Sequence, residues 1–406
     1  MSGIMSSQEA DRLEAGEYIA LNRPASIVPL LKDIILTSSR DWKRSNAFAA
    51  LKCFPIKDVL PDWLDMLKRT KSVPLKKDII DFISTSGDRS IVIHLVEELK
   101  NPHHAVRESA ILGLKRIGDD RMLPYILNFS RDPNPIYRVY ALQAFYFVYD
   151  RRINDILMEL IKDENKSVRY FTLRCIENHK LTDYLATIRN LALNDPEWEV
   201  RVKSLNILHA FNDRESMYVI LQCLSDKHRE IRFASASSLL DFINPGAAFQ
   251  VSTQLDLETD DQIKDMLLEM LLMVKNTGGL RGFERVLLHD GNLKLRIKAA
   301  YALGEIGDPS AVPLLLQALD ATQDYMLKSE LCNSIGSFRG QQGSAQRMIQ
   351  ALSAPNTQYL RLASLYAIDH LQDKSITPQL FTVFSGEKDP VVREKLRELI
   401  QQFLER

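Results

Sequence analysis

One short pattern recurs along this chain at a nearly fixed interval, and it limits the possible folds more than any other feature. Most copies have an apolar or aromatic residue followed by Arg or Lys, with apolar residues seven and ten positions after the basic one, as in Val106-Arg107 with Leu114 and Ile117. The basic position recurs at intervals of 31 to 33 residues: Lys43, Lys76, Arg107, Arg138, Arg169, Arg201, Arg232, Lys264, Arg296, Lys328, Arg361 and Arg393. Apolar residues at this spacing form one stripe on a helix. Self-similarity at such a period predicts a solenoid, in which neighbouring repeats stabilise one another.

Each repeat is predicted to contain two helices. The second carries the recurring pattern, and a shorter first helix follows a polar turn, as at residues 153–161. Asp-Pro turns at Asp132, Asp195 and Asp389 suit helix starts and exclude central strands. No segment alternates at period two, so the sequence predicts an all-α protein with about twelve repeats over residues 41–406. Residues 1–40 are predicted to form an N-terminal helical cap, because a terminal repeat has one side facing water.

The repeated pattern also predicts how neighbouring repeats are joined. Small residues three positions after the basic one would let helices approach closely: Ala110, Ala141, Thr172, Ser204, Ser235 and Ala299. Six positions before the basic residue stand Asn101, Asp132, Asp163, Asp195, Asp226 and Asp290. A recurring turn acid and helix Arg predict a ladder of charge-assisted hydrogen bonds between repeats. Thr322, Pro355, Lys264 and Lys328 depart from this pattern, so the ladder is expected to weaken in residues 245–290 and 320–360.

Composition argues against several classes of partner and compartment. Lys and Arg number 52 against 53 Asp and Glu, so no overall charge favours nucleic acid or anionic lipid. The four cysteines are far apart without a Cys-x-x-Cys pair, and Cys175 is predicted to be a buried free thiol. Neither a signal-peptide pattern at Met1–Glu14 nor an apolar stretch of membrane-spanning length occurs. A cytoplasmic location is therefore expected.

Several copies of the repeat resemble a known family. Asn101–Asp119, Asp132–Asp150 and Asp290–Asp308 are similar to HEAT repeats, in particular to the short bacterial type named after phycobilisome lyases. The resemblance covers residues 41–406. It implies a HEAT-like α-solenoid, an armadillo-type right-handed superhelix of helix pairs, with a concave face built by the second helices. Proteins of this family are mostly scaffolds and adaptors, and a few are enzymes.

The sequence gives little support for catalytic or metal chemistry. A di-iron hydroxylase with a HEAT-like fold uses repeated His-Glu pairs, but none of the eight histidines here is followed by Glu. Neither a P-loop nor a dinucleotide-binding or nucleophile-elbow motif occurs. The chain is thus predicted to be non-enzymatic, without a metal or cofactor. Two alternatives are a nucleic-acid-binding or DNA-glycosylase-like protein, suggested by the basic cluster Lys68-Arg69-Thr70-Lys71, and a subunit of a lyase or other modifying complex.

Aromatic residues break the repeat pattern at positions expected to face outward from the second helices. They fall mainly in two adjacent repeats, with Arg174 one turn beyond, and recur later in the chain: Tyr140, Tyr146, Phe147, Tyr170, Phe171, Tyr301 and Tyr366. The apolar Val139 takes an outward position of the same group. Exposed aromatic residues beside Arg are typical of binding hot spots. We therefore predict a scaffold or adaptor that binds a peptide or helix of a partner protein on its concave face. The alternative for each residue singly is that it fills a gap between repeats. The sequence identifies neither the partner nor the oligomeric state.

Overall fold

The chain folds as an α-solenoid of stacked helix pairs, as the period predicted. The computed structural model describes residues 3, 18, 19, 21, 22, 24–117, 122–147, 149–275, 277–340, 343–353 and 356–405. Over these residues it contains helices and turns but no strand, which confirms the predicted all-α class. Asp119 and Pro355 of the sequence interpretation lie outside the described residues, and so do residues 1, 2, 4–17, 20 and 23 of the predicted cap. The chain divides into two compact units, Met1–Tyr184 and Leu185–Arg406.

Unit 1 (Met1–Tyr184) contains five helix pairs in its described part. The pairs are α1 (Val28–Thr37) with α2 (Asp41–Lys52), α3 (Ile56–Arg69) with α4 (Val73–Ile83), α5 (Val92–Glu98) with α6 (His104–Ile117), α7 (Met122–Ser130) with α8 (Pro135–Phe147), and α9 (Asn154–Leu160) with α10 (Lys166–Asn178). Each second helix carries one of the recurring basic residues.

Unit 2 (Leu185–Arg406) contains seven further pairs in its described part. They are α11 (Leu185–Asn194) with α12 (Trp198–Ala210), α13 (Met217–Cys223) with α14 (Arg229–Leu239), α15 (Ala248–Leu257) with α16 (Asp261–Val274), α17 (Leu280–His289) with α18 (Leu293–Ile306), α19 (Val312–Ala321) with α20 (Tyr325–Gly336), α21 (Ser344–Leu352) with α22 (Gln358–Leu371), and α23 (Thr377–Gly386) with α24 (Pro390–Glu405). The helix-pair arrangement is therefore the same in both units.

Short polar side chains set the helix starts. One turn of 3-10 helix precedes several first helices, and its capping carboxylate accepts a hydrogen bond from the amide two residues on, as Asp308 does from Ser310 at 2.9 Å. Second helices begin in the same way, since the side chain of Asn165 accepts from the Ser167 amide at 3.0 Å. Such caps satisfy amides that have no partner within the helix.

Within each unit, the core lies between the two helices of each pair and between successive pairs. The residues seven positions after the basic one are buried where predicted, as Leu114, Phe145 and Leu303 are. The small residues three positions after it, from Ala110 to Ala299, are also fully buried. In place of an apolar residue, His179 puts its Nε2 within 2.6 Å of the Phe145 carbonyl.

The arginine ladder exists, but its carboxylate partners differ from the predicted ones. Arg138 donates through Nη1 to the backbone carbonyls of Asp132 and Pro133, at 2.8 and 3.0 Å. Its carboxylate partner is Asp163 of the next repeat, 2.7 Å from Nε. Asp163 also accepts from the Asn165 amide at 2.8 Å, so this acid caps its own turn and binds the preceding repeat. The preceding Asp therefore contributes its carbonyl rather than its side chain.

Glutamates that the sequence interpretation omitted continue the ladder in unit 2. Arg232 donates hydrogen bonds to both carboxylate oxygens of Glu258. Arg361 likewise donates to both carboxylate oxygens of Glu387. Lys264, which replaces arginine, still pairs, because its Nζ lies 2.6 Å from Asp290.

The ladder is interrupted where Thr322 replaces the acid. Arg296 turns to the Leu287 carbonyl at 2.9 Å and has no ion pair within the described residues. This interruption matches the prediction for residues 320–360.

Candidate partner-binding site

Most of the predicted aromatic residues of unit 1 line one groove that crosses three successive second helices. Helix α8 packs between α6 and α10, and the exposed surface of the three encloses a cavity of about 310 Å³. We call this cavity the aromatic groove; it is lined by His104, Glu108, Ile111, Gln143, Tyr146, Phe147, Phe171 and Arg174. A cavity of this size holds a side chain or a short segment of a ligand.

Helical spacing places these residues on one face. Gln143, Tyr146 and Phe147 are three and four positions apart on α8, so their side chains point the same way. The intervening residues Ala144 and Phe145 are buried in the core on the other side of the helix. The groove residues are thus not required to fill the interior of their own repeat.

Arg174 is the distinctive charge of the groove. Its guanidinium carbon lies 5.2 Å from the ring centre of Tyr146 and 5.4 Å from that of Phe171, so it bridges α8 and α10 by contacts with ring faces. In the part of the chain that the structure describes, no carboxylate is paired with Arg174. Its charge therefore remains available to an acidic group in the groove.

The other edge of the groove has a mixed character. Glu108 lies on α6, with a carboxylate oxygen 3.8 Å from Nδ1 of His104. On α8, the Phe147 ring lies against Tyr146 at 5.2 Å and near the ammonium group of Lys115 at 5.8 Å. The groove thus has an aromatic centre with opposite charges at its two ends. Glu108 stands directly after the recurring Arg, an outward position that sequence reasoning could have identified.

Three of the predicted residues lie elsewhere. Tyr140 packs over the ladder residue Arg107, whose guanidinium carbon is 4.0 Å from the ring centre, and contacts the Tyr137 ring at 5.8 Å. Val139 and Tyr170 are half-buried and do not line the aromatic groove. Tyr140 therefore takes the gap-filling role that the sequence had left as the alternative.

Tyr301 and Tyr366, in unit 2, line a different cavity. It measures about 400 Å³, lies on α18, α20 and α22, and is also lined by Gly304, Glu305, Glu330, Asn333, Ser334 and Ser337. The sequence prediction identified the two tyrosines but not the two glutamates. Glu305 and Glu330 stand nine and two positions after a recurring basic residue, which are outward positions of the same pattern.

The other candidate features lie outside both cavities. Cys175 is buried, donates to the Leu142 carbonyl at 3.1 Å and is a free thiol, as predicted; burial raises its pKa. Within the basic cluster, Arg69 pairs with Asp65, and the nearby Lys76 pairs with Glu98. Among the described residues, no group of three or more His, Cys, Asp or Glu side chains could hold a metal ion.

The described helices are also too short or too polar to cross a membrane.

Comparisons with known proteins identify the repeat in unit 2. The family model for HEAT repeats matches residues 185–271 and 280–369. Among solved structures, Kap121p bound to Nup53p is 14% identical with a TM-score of 0.49, and the match covers 97% of this chain and 52% of that chain. The Kap95:Nup1 complex is 12% identical with a TM-score of 0.49, and the match covers 99% of this chain and 66% of that chain.

This chain therefore spans about half the length of Kap121p, and the likeness concerns the fold alone. No curated protein matches the sequence. The assignment to the short bacterial type stays a prediction. The chain carries HEAT repeats in residues 185–271 and 280–369.

Proposed function

We propose that this protein is a non-enzymatic scaffold or adaptor that binds a segment of a partner protein in the aromatic groove. The observation that supports the proposal is Arg174 lying across Tyr146 and Phe171 at the edge of a cavity of about 310 Å³. Tyr and Arg in a partly enclosed site are the residue types that contribute most to protein–protein affinity. The HEAT resemblance implies that the second helices, which carry the groove, form the concave face.

The groove also indicates the chemistry of its ligand. An apolar or aromatic side chain would fill the space between Tyr146, Phe147 and Phe171, and an acidic residue beside it would meet Arg174. Three helices spaced about 10 Å apart give a groove about 20 Å long. That length fits about six residues of an extended segment.

The test begins with a photocrosslinking amino acid at Gln143, in the middle of the groove, introduced into the full chain in its own cell. The captured partner is identified by mass spectrometry and purified. Its affinity is then measured by calorimetry for the wild type and for the double variant Tyr146→Ser, Phe171→Ser. Because the variant removes two aromatic contacts, we expect affinity to fall at least about tenfold, with unchanged circular dichroism.

Phe233 provides a matched control in unit 2. It also lies beside an arginine, with Arg229 5.5 Å from its ring centre, but it is exposed and lies outside the aromatic groove. The Phe233→Ser variant should bind the partner as the wild type does. Equal affinity of the groove variant and this control would refute the proposal. A loss of helicity in the groove variant would instead show that Tyr146 and Phe171 are core residues.

A further inference from the structure

The cavity of unit 2 differs in chemistry from the aromatic groove. We call it the acidic tyrosine pocket, defined by the residues that line it: Tyr301, Gly304, Glu305, Glu330, Asn333, Ser334, Ser337 and Tyr366. It encloses about 400 Å³ on the surface of three successive second helices, α18, α20 and α22. Two aromatic rings and two carboxylates therefore surround one opening.

Small residues create the floor of the pocket. A Cβ atom on Gly304 would lie 2.9 Å from the Ser334 Cα, so α18 and α20 approach closely at this point. Tyr301 on α18 and Tyr366 on α22 lie on either side of α20. Their surfaces are 47% and 52% exposed. Both rings therefore remain accessible to a ligand that reaches the floor.

The two carboxylates have different surroundings. Glu305 is paired with Lys275, whose Nζ lies 3.1 Å from it. Glu330 has no cationic partner among the residues that the structure describes. Burial raises the pKa of Glu330. A half-buried carboxylate of this kind is stabilised by an incoming positive charge.

We propose that the acidic tyrosine pocket binds the side chain of a Lys or Arg residue of a partner protein. Glu330 forms the ion pair, and the faces of Tyr301 and Tyr366 flank the cation. The Asn333 amide oxygen and the Ser337 hydroxyl accept further N–H groups of the ligand. Two carboxylates exclude a phosphate or a second acidic group from the same space. The proposal goes beyond the aromatic groove, because the site lies on other repeats and selects the opposite charge.

The test uses the full chain labelled with 3-fluorotyrosine, read by fluorine NMR. Variants Tyr301→Phe and Tyr366→Phe assign the two resonances among the thirteen tyrosines. Three capped pentapeptides serve as probes, with a central Arg, Lys or citrulline between glycines; citrulline has the shape of Arg without its charge. We expect saturable shifts of both resonances with the Arg or Lys peptide. The citrulline peptide should leave them unchanged.

Two variants with the same change of charge test whether binding depends on Glu330 in particular. Glu330→Gln should weaken binding of the basic peptide about tenfold, because it removes the ion pair at the floor. Glu284→Gln changes an exposed glutamate on α17 of the same unit and should leave binding unchanged. If Glu330→Gln lowers the melting temperature, Tyr366→Leu replaces it as the pocket variant, with the same expected loss.

Equal shifts with citrulline, or equal binding by the pocket variant and the Glu284→Gln control, would overturn the proposal. So would the absence of any shift with both basic peptides. The aromatic groove variant Tyr146→Ser, Phe171→Ser should keep the full peptide response. Failure of either proposal is therefore seen separately from failure of the other.

Discussion

At the scale of single residues, the ladder acids each serve two repeats. Glu258 accepts from Arg232 Nε at 2.8 Å and Nη2 at 3.0 Å, and its Oε1 also accepts from the Thr259 and Asp260 amides, each at 2.9 Å. Burial opposes the charged form of Glu258, but the hydrogen bonds from Arg232 and the two amides outweigh it and hold its pKa below the usual value. The carboxylate therefore joins α14 to the turn before α16.

Replacing this acid should cost stability in a pH-dependent way. Glu258→Gln leaves Arg232 without its carboxylate in a site where the Glu258 side chain is 0% exposed, so we expect a loss of about 3 kcal/mol at pH 7. The folded pKa lies below the usual value near 4.5, so the contribution of Glu258 is present above that value and disappears as the pH falls through the folded pKa. The loss relative to wild type should shrink accordingly in urea unfolding between pH 7 and pH 3.

The exposed Glu284 again supplies the control for this experiment. Glu284→Gln makes the same change of charge without breaking a ladder contact, so its unfolding curve should follow the wild type at every pH. A constant difference between Glu258→Gln and wild type across the pH range would contradict the linkage to ionisation.

At the scale of helices, close approach in the second-helix layer of unit 2 depends on glycine. Gly336 ends α20, and a Cβ atom there would lie 2.8 Å from the Ala367 Cα of α22. Because that neighbour is backbone, the helices must separate to admit a methyl group. Gly336→Ala should therefore lower the free energy of unfolding by about 1–3 kcal/mol, despite the better helix propensity of alanine. Thermal and urea unfolding measure the effect.

A second helix-ending glycine shows whether the effect comes from packing. Gly386 ends α23, and a Cβ atom added there would have no neighbouring atom within 4 Å. Gly386→Ala should be neutral or stabilising by up to about 1 kcal/mol. Equal effects of the two substitutions would show that propensity rather than the contact between α20 and α22 decides stability.

The helices were predictable because their apolar spacing is local. The buried positions of Leu114 and Phe145 follow from a stripe that a single repeat already displays. The ladder partner could not be derived in this way. An Asp six positions before one Arg is also about 25 positions after the preceding Arg. The same recurring Asp and Arg positions are therefore expected whether the Asp pairs with the Arg of its own repeat or with that of the preceding repeat. Only the packing of adjacent repeats shows that Asp163 binds Arg138.

The candidate sites were predictable only in part for the same reason. Their positions on the outward side of the second helices follow from the period, and Tyr146, Phe171, Tyr301 and Tyr366 all line cavities. Which outward residues share a cavity depends on contacts between helices. Tyr140 illustrates this, because the guanidinium of Arg107 from the preceding repeat covers its ring.

At the scale of the whole molecule, the fixed period predicts that complete repeats can be removed. Deleting residues 248–279 takes out α15, α16 and the following turn, 32 residues in all, and joins Ala247 to the start of α17. Asp290 then stands 26 positions after Arg232, where Glu258 stood. The inward apolar residues and the ladder partners therefore keep their spacing along the chain. We expect a folded chain with unchanged helicity per residue.

This deletion should lower the free energy of unfolding only by the contribution of one repeat, since contacts in a solenoid are made between neighbouring repeats. At about 0.05–0.15 kcal/mol per residue, that share is roughly 2–5 kcal/mol. Deleting residues 248–263 removes half as many residues but only half a period, so it joins Ala247 to Lys264 in the first turn of α16 and places Val274 26 positions after Arg232, where Glu258 stood. The smaller deletion should cause the larger loss of helicity and of cooperative unfolding in circular dichroism. If the 32-residue deletion is the more damaging of the two, the period does not govern the stability of this chain.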